Sequence, residues 1–172
     1  MGKRTIDFLL AVSLLILVSP LILFLIILIL FDSKGKALLK LKRVGKNGQE
    51  FYMYKLRTMY PGTKKITRIG KFLRELGLDE LPQLINIIRG EMSFVGPRPE
   101  IPEIVRTYTL REKGRLKAIP GLTGPWQISP YRDEPIHRHL EYDLEYINKA
   151  SCLYDFKIMG KTFLWLLKKL AF

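Results

Sequence analysis

The feature that most constrains this chain is a run without a charged side chain, FLLAVSLLILVSPLILFLIILILF, at positions 8–31. As an α-helix this run would be about 36 Å long at 1.5 Å per residue. The hydrocarbon core of a bilayer is about 30 Å thick, so the length permits a span. The run is too long for the apolar core of a signal peptide and lacks a small-residue cleavage site. The sequence therefore predicts a membrane segment that is retained.

Two features of this segment favour a path that enters and leaves the membrane on one face. Pro20 removes one helical hydrogen bond, and Ser19 can bond a carbonyl group that is freed. Positive charge marks the cytoplasmic side, and both flanks are basic: Lys3, Arg4, Lys34, Lys36, Lys40, Lys42 and Arg43. A helix that bends at Ser19-Pro20 places both flanks inside. The alternative is an ordinary kinked transmembrane helix with its N-terminus outside.

The net charge of the chain points to an anionic partner. Its 172 residues carry 29 Lys and Arg against 16 Asp and Glu, a formal net charge of +13. A nucleic acid, an anionic membrane surface or a phosphorylated substrate would each complement this excess. The single cysteine, Cys152, excludes an internal disulfide framework.

Local signals after the membrane segment predict strands and then helices. Two strands are expected within 37–59, joined at Asn47-Gly48, which is a strong hairpin turn signal. A loop at 60–70 and a short helix at 71–77 follow. A second helix at 79–89 is expected to begin with Asp79 as its N-terminal cap.

The second half of the chain is predicted to be helical around one irregular stretch. Helices are expected over 99–119 and 136–150, and a Gly- and Pro-rich ordered loop lies between them at 120–135. The segment 154–172 mixes large apolar residues at helical spacing with lysines. This pattern is typical of an amphipathic helix in the membrane interface, and a core helix of a soluble domain is the alternative.

An Asp-Glu pair, Asp79-Glu80, stands at the head of the predicted helix 79–89. Most adjacent acids in this position only cap a helix. An ionised aspartate can also attack phosphorus or bind Mg²⁺, and the positive end of a helix should keep Asp79 ionised. The pair alone does not decide between these interpretations.

Cations elsewhere in the sequence favour a phosphate site. Arg98 lies between Pro97 and Pro99, whose restricted backbone can aim a guanidinium, and arginine suits bidentate contacts with phosphate. Further cations are Lys55, Arg57 and Arg74. A metal-binding carboxylate with several fixed cations describes a diphosphate site. Solvated or lipid-facing charges are the alternative for each cation.

Three motifs follow the apolar segment in a fixed order: YKLRTM (54–59), FLRELGLDELPQLINIIRGEMSFVGPRPE (72–100) and PGLTGPWQIS (120–129). In this combination the chain resembles the small bacterial monotopic phosphoglycosyl transferases, the bacterial sugar transferases, over most of residues 8–160. The resemblance implies an enzyme that transfers a sugar-1-phosphate from a UDP-sugar to polyprenyl (undecaprenyl) phosphate and releases UMP. Such a reaction is the first membrane step of a bacterial glycan pathway, for example for an exopolysaccharide, an O-antigen or a glycoprotein glycan.

The resemblance also implies roles for individual residues. Asp79 would be the nucleophile that forms a covalent phosphosugar-aspartyl intermediate, with Glu80 as its catalytic partner and Mg²⁺ bound at Asp79. The re-entrant membrane helix would break at Ser19-Pro20. Phosphate binding and positioning would fall on Lys55, Arg57, Arg74, Arg98, Pro97 and Pro99.

The residues and the resemblance together predict an α+β, mostly helical fold in two units. Residues 1–36 would form an N-terminal re-entrant membrane helix hairpin. Residues 37–172 would form a cytoplasmic or interfacial catalytic domain, with a small β-hairpin and interfacial amphipathic helices around the active site. The protein is expected on the cytoplasmic face of the bacterial inner membrane, in contact with inner-leaflet lipid and not with nucleic acid. A homodimer is left open.

Two departures from the family pattern limit this expectation. The loop 60–70 is shorter than usual, which leaves nucleotide contacts there unassigned. Pro130-Tyr131-Arg132 stands where family members often have Gly-Arg, and Arg132 is expected to take over a substrate contact. The identity of the sugar does not follow from the sequence.

Two other functions remain open on the sequence alone. One is a membrane-anchored basic module that binds nucleic acid or anionic lipid without chemistry, although the basic residues are scattered and no nucleic-acid motif is present. The other is an enzyme that transfers directly to polyprenyl phosphate without a covalent intermediate.

The remaining polar and aromatic candidates have structural interpretations. His137 and His139 are two residues apart, so on a helix they face different ways and are expected at the surface or at the rim of a substrate site. Asp143 is expected on a solvated helix face, with pairing to a site arginine as the alternative. Trp126 and Trp165 are expected to be a packing residue and an interface anchor.

Overall fold

The apolar segment forms one long helix, α1, over Lys3–Asp32. It belongs to a computed structural model that describes residues 2–171, with only the backbone for Leu170 and Ala171. Met1 and Phe172, the outermost residues of the two predicted units, therefore lie outside the described residues. Within the described range α1 is the one helix long and apolar enough to cross a membrane.

Helix α1 accommodates its internal proline through the preceding serine. Pro20 has no amide hydrogen to give to the carbonyl group of Ile16, four residues earlier. Ser19 Oγ donates to that carbonyl oxygen instead, at 2.9 Å. The backbone therefore stays helical through Ser19-Pro20. A bend of the helix axis at this point, and with it the re-entrant path, stays a prediction.

One stripe of α1 packs against the rest of the chain along the whole helix. Ala11 near its start and Leu25 and Ile29 near its end are at most 2% exposed, and they contribute to two separate core clusters. The opposite face exposes large apolar side chains, namely Phe8, Leu9, Leu10, Ile16, Leu17, Leu21, Leu23, Phe24, Ile27, Leu30 and Phe31. A continuous apolar surface of this extent is unfavourable in water and suits lipid.

Polar contacts fix the first turns of α1 to the second half of the chain. Asp7 is buried, and Ser93 Oγ donates to its Oδ2 at 2.7 Å. Lys3 forms an ion pair with Asp155. Arg4 donates to the carbonyl oxygen of Ile88 at 2.7 Å. The start of the membrane helix is therefore held by charged groups rather than by apolar packing alone.

The other end of α1 is held by one arginine. The last carbonyl groups of a helix lack partners within it, and a cation suits their partial negative charge. Arg57, which is 4% exposed, donates to the carbonyl oxygens of Ile29 and Ser33 at 3.3 and 2.6 Å. It also donates to the carbonyl oxygens of Lys34 and Lys36 in the segment that follows. Both ends of α1 are thus held by the domain that follows it.

Strands β1 (Leu38–Val44) and β2 (Glu50–Leu56) form the predicted antiparallel hairpin. Asn47 and Gly48 make the turn with positive φ values of 56° and 80°, which these two residue types tolerate. Side chains alternate along a strand, so Leu39, Leu41 and Arg43 share one face. This face forms a wall of the cleft described below.

Helix α2 (Arg68–Leu76) begins three residues before the predicted helix 71–77. The reason is a cap at Thr67, whose Oγ1 accepts a hydrogen bond from Gly70 N at 2.9 Å. Gly70 also lies where α2 crosses the chain after β2, since a Cβ at this position would be 2.1 Å from Thr58 O. The close approach sets the position of α2 beside the hairpin.

The predicted helix 79–89 is wrong in its first half. Leu78–Gln83 forms a 3₁₀ turn, and the α-helix α3 covers only Leu84–Arg89. Gly77, at a φ of 68°, ends α2 and immediately precedes the 3₁₀ turn. Asp79 therefore lies inside the turn and is not its cap.

The Gly-Pro-Arg-Pro and Pro-Gly-Leu-Thr-Gly motifs pack on each other, although they are far apart in sequence. Strand β3 (Ser93–Val95) pairs in parallel with β4 (Gly121–Thr123), and neither strand was predicted. A Cβ on Gly121 would be 2.1 Å from Gly96 N, and one on Gly124 would be 2.2 Å from Gly96 O. Backbones this close leave no room for a side chain, so the glycines of the two motifs fit one contact.

The predicted helix 99–119 is interrupted. Only α4 (Pro102–Arg106) and a 3₁₀ turn (Glu112–Lys117) form. Thr109 N donates to Glu112 Oε2 at 2.7 Å, and a side chain that reaches back in this way starts a new turn.

Two further helices follow. Helix α5 covers Leu140–Lys149, later than the predicted start at 136 because Ile136–Arg138 is a 3₁₀ turn. Helix α6 covers Cys152–Ala171.

Gly70→Ala tests the contact between α2 and Thr58. We expect it to lower the midpoint of thermal unfolding, because an added Cβ would be 2.1 Å from Thr58 O and overpacking costs about 1–3 kcal/mol. Gly160→Ala is the matched control, since a Cβ there meets nothing within 4 Å and alanine favours a helix by about 0.5–1 kcal/mol. The measurement is thermal unfolding of both variants in detergent, and equal midpoints would contradict the contact.

Candidate active site

A cleft of about 320 Å³ lies between the hairpin, α2 and the Gly-Pro-Arg-Pro segment. Four cations line it: Arg43, Lys55, Arg74 and Arg98. Its apolar lining includes Leu39, Leu41 and Met53 from the hairpin. The shape and the charge suit an anionic ligand that also carries less polar groups.

A larger cleft of about 530 Å³ lies near the tip of the hairpin. Val44 lines it, whereas its neighbour Arg43 lines the first cleft. The acid in its lining, Glu50, pairs with Lys42 at 2.5 Å. The smaller cleft is lined by Lys55 and Arg98, the cations that pair with Asp79 and Glu80, and the larger one is not. We therefore assign the chemistry to the smaller cleft.

Asp79 is almost fully buried, at 2% exposure, beside this cleft. The ammonium of Lys55 lies 2.8 Å from its Oδ2. Burial raises the pKa of Asp79 above its ordinary value, and Lys55 opposes that shift. The positive end of a helix would lower this pKa, but Asp79 stands in a short 3₁₀ turn and not at the head of a helix. Its burial acts in the opposite direction.

The environment of Glu80 lowers its pKa, whereas that of Asp79 raises the pKa of Asp79. Arg98 Nη2 donates to its Oε1 at 2.7 Å, and Lys55 Nζ donates to the same oxygen at 3.3 Å. Burial on its own would raise the pKa of Glu80, but Arg98 and Lys55 together outweigh it and lower this pKa to about 2. Glu80 is therefore an ionised partner for cations, whereas the charge of Asp79 is compensated less completely.

Arg98 is positioned through its own backbone. Pro97 and Pro99 on either side of it are buried. The carbonyl oxygen of Arg98 accepts a hydrogen bond from Arg115, which forms a buried ion pair with Asp143. The Arg98 guanidinium also lies 5.8 Å from the centre of the Trp126 ring.

The position of Asp143 corrects one expectation. Asp143 is 0% exposed rather than on a solvated face, and its partner is Arg115 rather than an arginine of the cleft. Burial raises the pKa of Asp143, and Arg115 opposes that shift. Sequence reasoning also missed Arg115, because its role depends on a partner 28 residues away.

The other predicted phosphate ligands divide into two groups. Arg74 lines the cleft and donates from Nε to Thr58 Oγ1 at 2.8 Å. Arg57 is not among the cations that line the cleft, because its guanidinium binds carbonyl oxygens at the end of α1. Arg132 does not line the cleft and instead stacks on Trp165.

Arg43 is a cleft cation that was considered only as a flank of the membrane segment. It lines the cleft, and burial lowers its pKa below the ordinary value. Its alternation with Leu39 and Leu41 along β1 is the signal that could have placed it on this face.

The two histidines do not line the cleft, although His137 lies near Glu100, which does. His139 Nε2 lies 2.9 Å from Glu134, and the ring stacks on Tyr131 with the centroids 4.5 Å apart. His137 Nδ1 lies 3.8 Å from Glu100. These contacts agree with rim or surface positions.

Asp79 fits Mg²⁺ only as part of a ligand set that a substrate completes. Residues 2–171 contain no group of three or more His, Cys, Asp or Glu that could hold a metal unaided. Asp79 Oδ2 is buried and accepts no hydrogen bond from the described residues, although Lys55 lies 2.8 Å away. Protein-bound Mg²⁺ usually has one or two carboxylates and completes its shell with waters and substrate phosphates. Asp79 suits that role better than Glu80, which is paired with Arg98 and Lys55.

Comparison with known proteins finds relatives along nearly the whole chain. The family model described as "Bacterial sugar transferase" matches residues 1–169. The exopolysaccharide production protein ExoY of Sinorhizobium fredii is 38% identical, over 94% of this chain and 83% of that protein. The UDP-glucose:undecaprenyl-phosphate glucose-1-phosphate transferase of Caulobacter vibrioides is 36% identical, over 93% of this chain and 67% of that protein. The Escherichia coli protein with the same description is 33% identical, over 93% of this chain but 39% of that protein.

Asp143→Asn tests the support behind Arg98. We expect a loss of stability of about 3–5 kcal/mol, because the change leaves the buried charge of Arg115 without its partner. Glu145→Gln on the same helix is the matched control: Glu145 pairs with Lys149 on an exposed surface, where such pairs contribute about 0–1 kcal/mol. Thermal and denaturant unfolding in detergent would measure the difference. Equal stability of the two variants would mean that the Arg115–Asp143 pair does not support the site.

Proposed function

The chain belongs to the bacterial sugar transferase family and is a phosphoglycosyl transferase, and on this basis we propose its reaction. It transfers a sugar-1-phosphate from a UDP-sugar to undecaprenyl phosphate and releases UMP. The observation that carries the proposal is the acid pair beside the cleft, in which Asp79 is buried next to Lys55 while Glu80 is held by Arg98. The relatives named as UDP-glucose:undecaprenyl-phosphate transferases support the two substrate classes.

In the first step an oxygen of Asp79 attacks the β-phosphorus of the UDP-sugar. The bond from that phosphorus to the bridging oxygen breaks, and UMP leaves with the bridging oxygen and its electron pair. The sugar-1-phosphate is then held covalently on Asp79. Arg43, Arg74 and Arg98 line the cleft and would stabilise the charge of the diphosphate.

In the second step a phosphate oxygen of undecaprenyl phosphate attacks the same phosphorus. The bond to Asp79 breaks, the carboxylate is regenerated, and the product is an undecaprenyl-diphospho-sugar. Arg98 and Lys55 lower the pKa of Glu80 to about 2, which favours its ionised form. Its role in this scheme is to hold Arg98 and Lys55 in position for the phosphates.

Mg²⁺ would bind at Asp79 together with the phosphates of the donor. Its chemistry there would be to neutralise negative charge on the diphosphate. Lys55, at 2.8 Å from the same carboxylate, would share this task.

The contacts of α1 support a monotopic, re-entrant arrangement. Lys3 and Arg4 at one end and Ser33 and Lys36 at the other all contact the same domain. A helix that crossed the whole bilayer would place these ends on opposite sides. The basic residues at both flanks favour the cytoplasm for that side.

The exposed face of α6 extends the proposed membrane contact. Phe156, Phe163, Leu164 and Leu167 are 44–61% exposed along this helix. Together with the apolar face of α1 they would keep the cleft at the surface of the inner leaflet, where a lipid phosphate is found. The product would begin a bacterial glycan, and the similarity to ExoY favours an exopolysaccharide. A homodimer stays a prediction.

Asp79→Asn tests the nucleophile. We expect UMP release and retention of radiolabelled sugar on the protein to fall by about three orders of magnitude or more, because the amide cannot attack phosphorus. The measurement is single-turnover UMP release without acceptor, across a panel that includes UDP-glucose and UDP-galactose.

Glu75→Gln is the control for this variant, since Glu75 is an exposed acid on α2 whose side chain is 54% accessible. It should label as the wild type does. Near-normal turnover by Asp79→Asn would overturn the nucleophile. Turnover in the wild type without any label on the enzyme would instead indicate direct transfer.

Cysteine labelling tests the topology. Cysteines introduced at Lys3 and at Lys36, in a Cys152→Ser background, should both react only from the cytoplasmic side, because both positions contact one domain. The measurement is reaction with a membrane-impermeant maleimide in intact and in permeabilised cells. Labelling of the Lys3 position in intact cells would rule out the re-entrant path.

A further inference from the structure

One cation near the acid pair does not belong to the cleft lining. The side chain of Arg132 is 30% exposed, and its Nε lies 4.0 Å from Asp133, an acid that is itself 97% exposed. Burial lowers the pKa of Arg132; Asp133 and Glu80 oppose that shift, and Arg98 adds to it. Arg132 N donates to Ser129 O at 3.4 Å, and Ser129 N donates to Trp126 O at 3.0 Å. Because the Trp126 ring lies 5.8 Å from the Arg98 guanidinium, Arg132 belongs to the segment that packs on Arg98, although it stands apart from the cations of the cleft.

The guanidinium of Arg132 is held by stacking on its flat face and not through the N–H groups at its edges. Its central carbon lies 3.4 Å from the centre of the Trp165 ring. Among the side chains that the structure describes, its nearest acid is Asp133, whose Oδ1 lies 4.0 Å from Nε and is too far for a hydrogen bond. Stacking fixes the plane of a guanidinium and leaves its N–H groups available, and those groups match the oxygens of a phosphate.

Trp165 belongs to a part of α6 that joins the site to the exposed apolar face. One turn earlier, Thr162 Oγ1 lies 2.7 Å from Thr123 Oγ1 at the end of β4. The neighbours Phe163 and Leu164 are 61% and 59% exposed. Arg132 thus links the exposed apolar face of α6 to the segment that packs on Arg98.

This placement fits one end of a phosphorylated lipid. The donor diphosphate already has four cations in the cleft, Arg43, Lys55, Arg74 and Arg98. The phosphate of a polyprenyl phosphate would arrive from the lipid side with its chain against an apolar surface. We propose that Arg132 binds the phosphate of the polyprenyl phosphate acceptor and that Trp165 positions its guanidinium for this contact. The proposal rests on the function proposed above and assigns Arg132 to the second half of that reaction.

The two half-reactions separate this role from any role in donor binding. Full-length protein in nanodiscs is first incubated with the sugar-labelled UDP-sugar that the wild type uses, without acceptor. Arg132→Gln should release UMP and retain label within about twofold of the wild type. On addition of undecaprenyl phosphate it should pass on the label about 10- to 100-fold more slowly, as expected for the loss of one charged hydrogen-bond donor to phosphate.

Steady-state kinetics give a second readout. Arg132→Gln should raise KM for undecaprenyl phosphate and leave KM for the UDP-sugar unchanged. Trp165→Leu should give the same selective defect, and Trp165→Phe should restore most of the acceptor affinity because a stacking ring remains. Lys169→Gln is the matched control: Lys169 Nζ lies 4.4 Å from the same ring, and its loss should leave both half-reactions unchanged.

Two results with Arg132→Gln would overturn the proposal. Transfer of label at the wild-type rate by Arg132→Gln would show that Arg132 does not bind the acceptor. Loss of both half-reactions together would assign Arg132 to the donor. A wild type that turns over without label would refute the covalent route instead, and the KM comparison would then decide the role of Arg132.

Discussion

The packing of one stripe of α1 against the domain determines how this chain can meet a membrane. Ala11, Leu25 and Ile29 are buried along that stripe, while the opposite face is apolar and exposed. The buried contacts of Asp7 and Arg57 add polar links near the two ends. A helix attached in this way cannot move independently, so the cleft keeps a fixed distance and angle to whatever surface the exposed face enters.

Inside the domain, a series of contacts between charged residues runs from the interior to the cleft. Asp143 neutralises Arg115, Arg115 fixes the backbone of Arg98, and Arg98 neutralises Glu80. Burying ion pairs brings little net stability, so their value here lies in orientation. Asp79 is different, because burial opposes its charge and Lys55 compensates it only in part. The proposed nucleophile therefore lies beside Glu80, whose charge is already compensated by Arg98 and Lys55.

The sequence predicted the features whose signals are local. The hairpin at Asn47-Gly48 follows from two residues that tolerate positive φ, and the membrane helix follows from its uninterrupted apolar run. The contact between Glu80 and Arg98 fits the predicted cluster of acids and cations. Features that depend on distant partners were missed. The carbonyl groups that Arg57 binds lie 21–28 residues before it, and Asp143 faces the interior because Arg115 lies there. The predicted helices were too long where side chains such as Thr109 and Glu112 bond the backbone locally.

The contacts at the two ends of α1 also imply an order of events during synthesis. Arg57 follows Ser33 by 24 residues, whereas Ser93 follows Asp7 by 86 residues and Asp155 follows Lys3 by 152. At roughly 5–20 residues per second, the last of these partners leaves the ribosome on the order of ten seconds after α1. The C-terminal end of the helix can therefore be closed early, while Asp7 and Lys3 lack their partners until the later segments have been made. Folding of this protein would finish at the membrane surface, when Asp155 of α6, the last helix made, pairs with Lys3 of α1, the first.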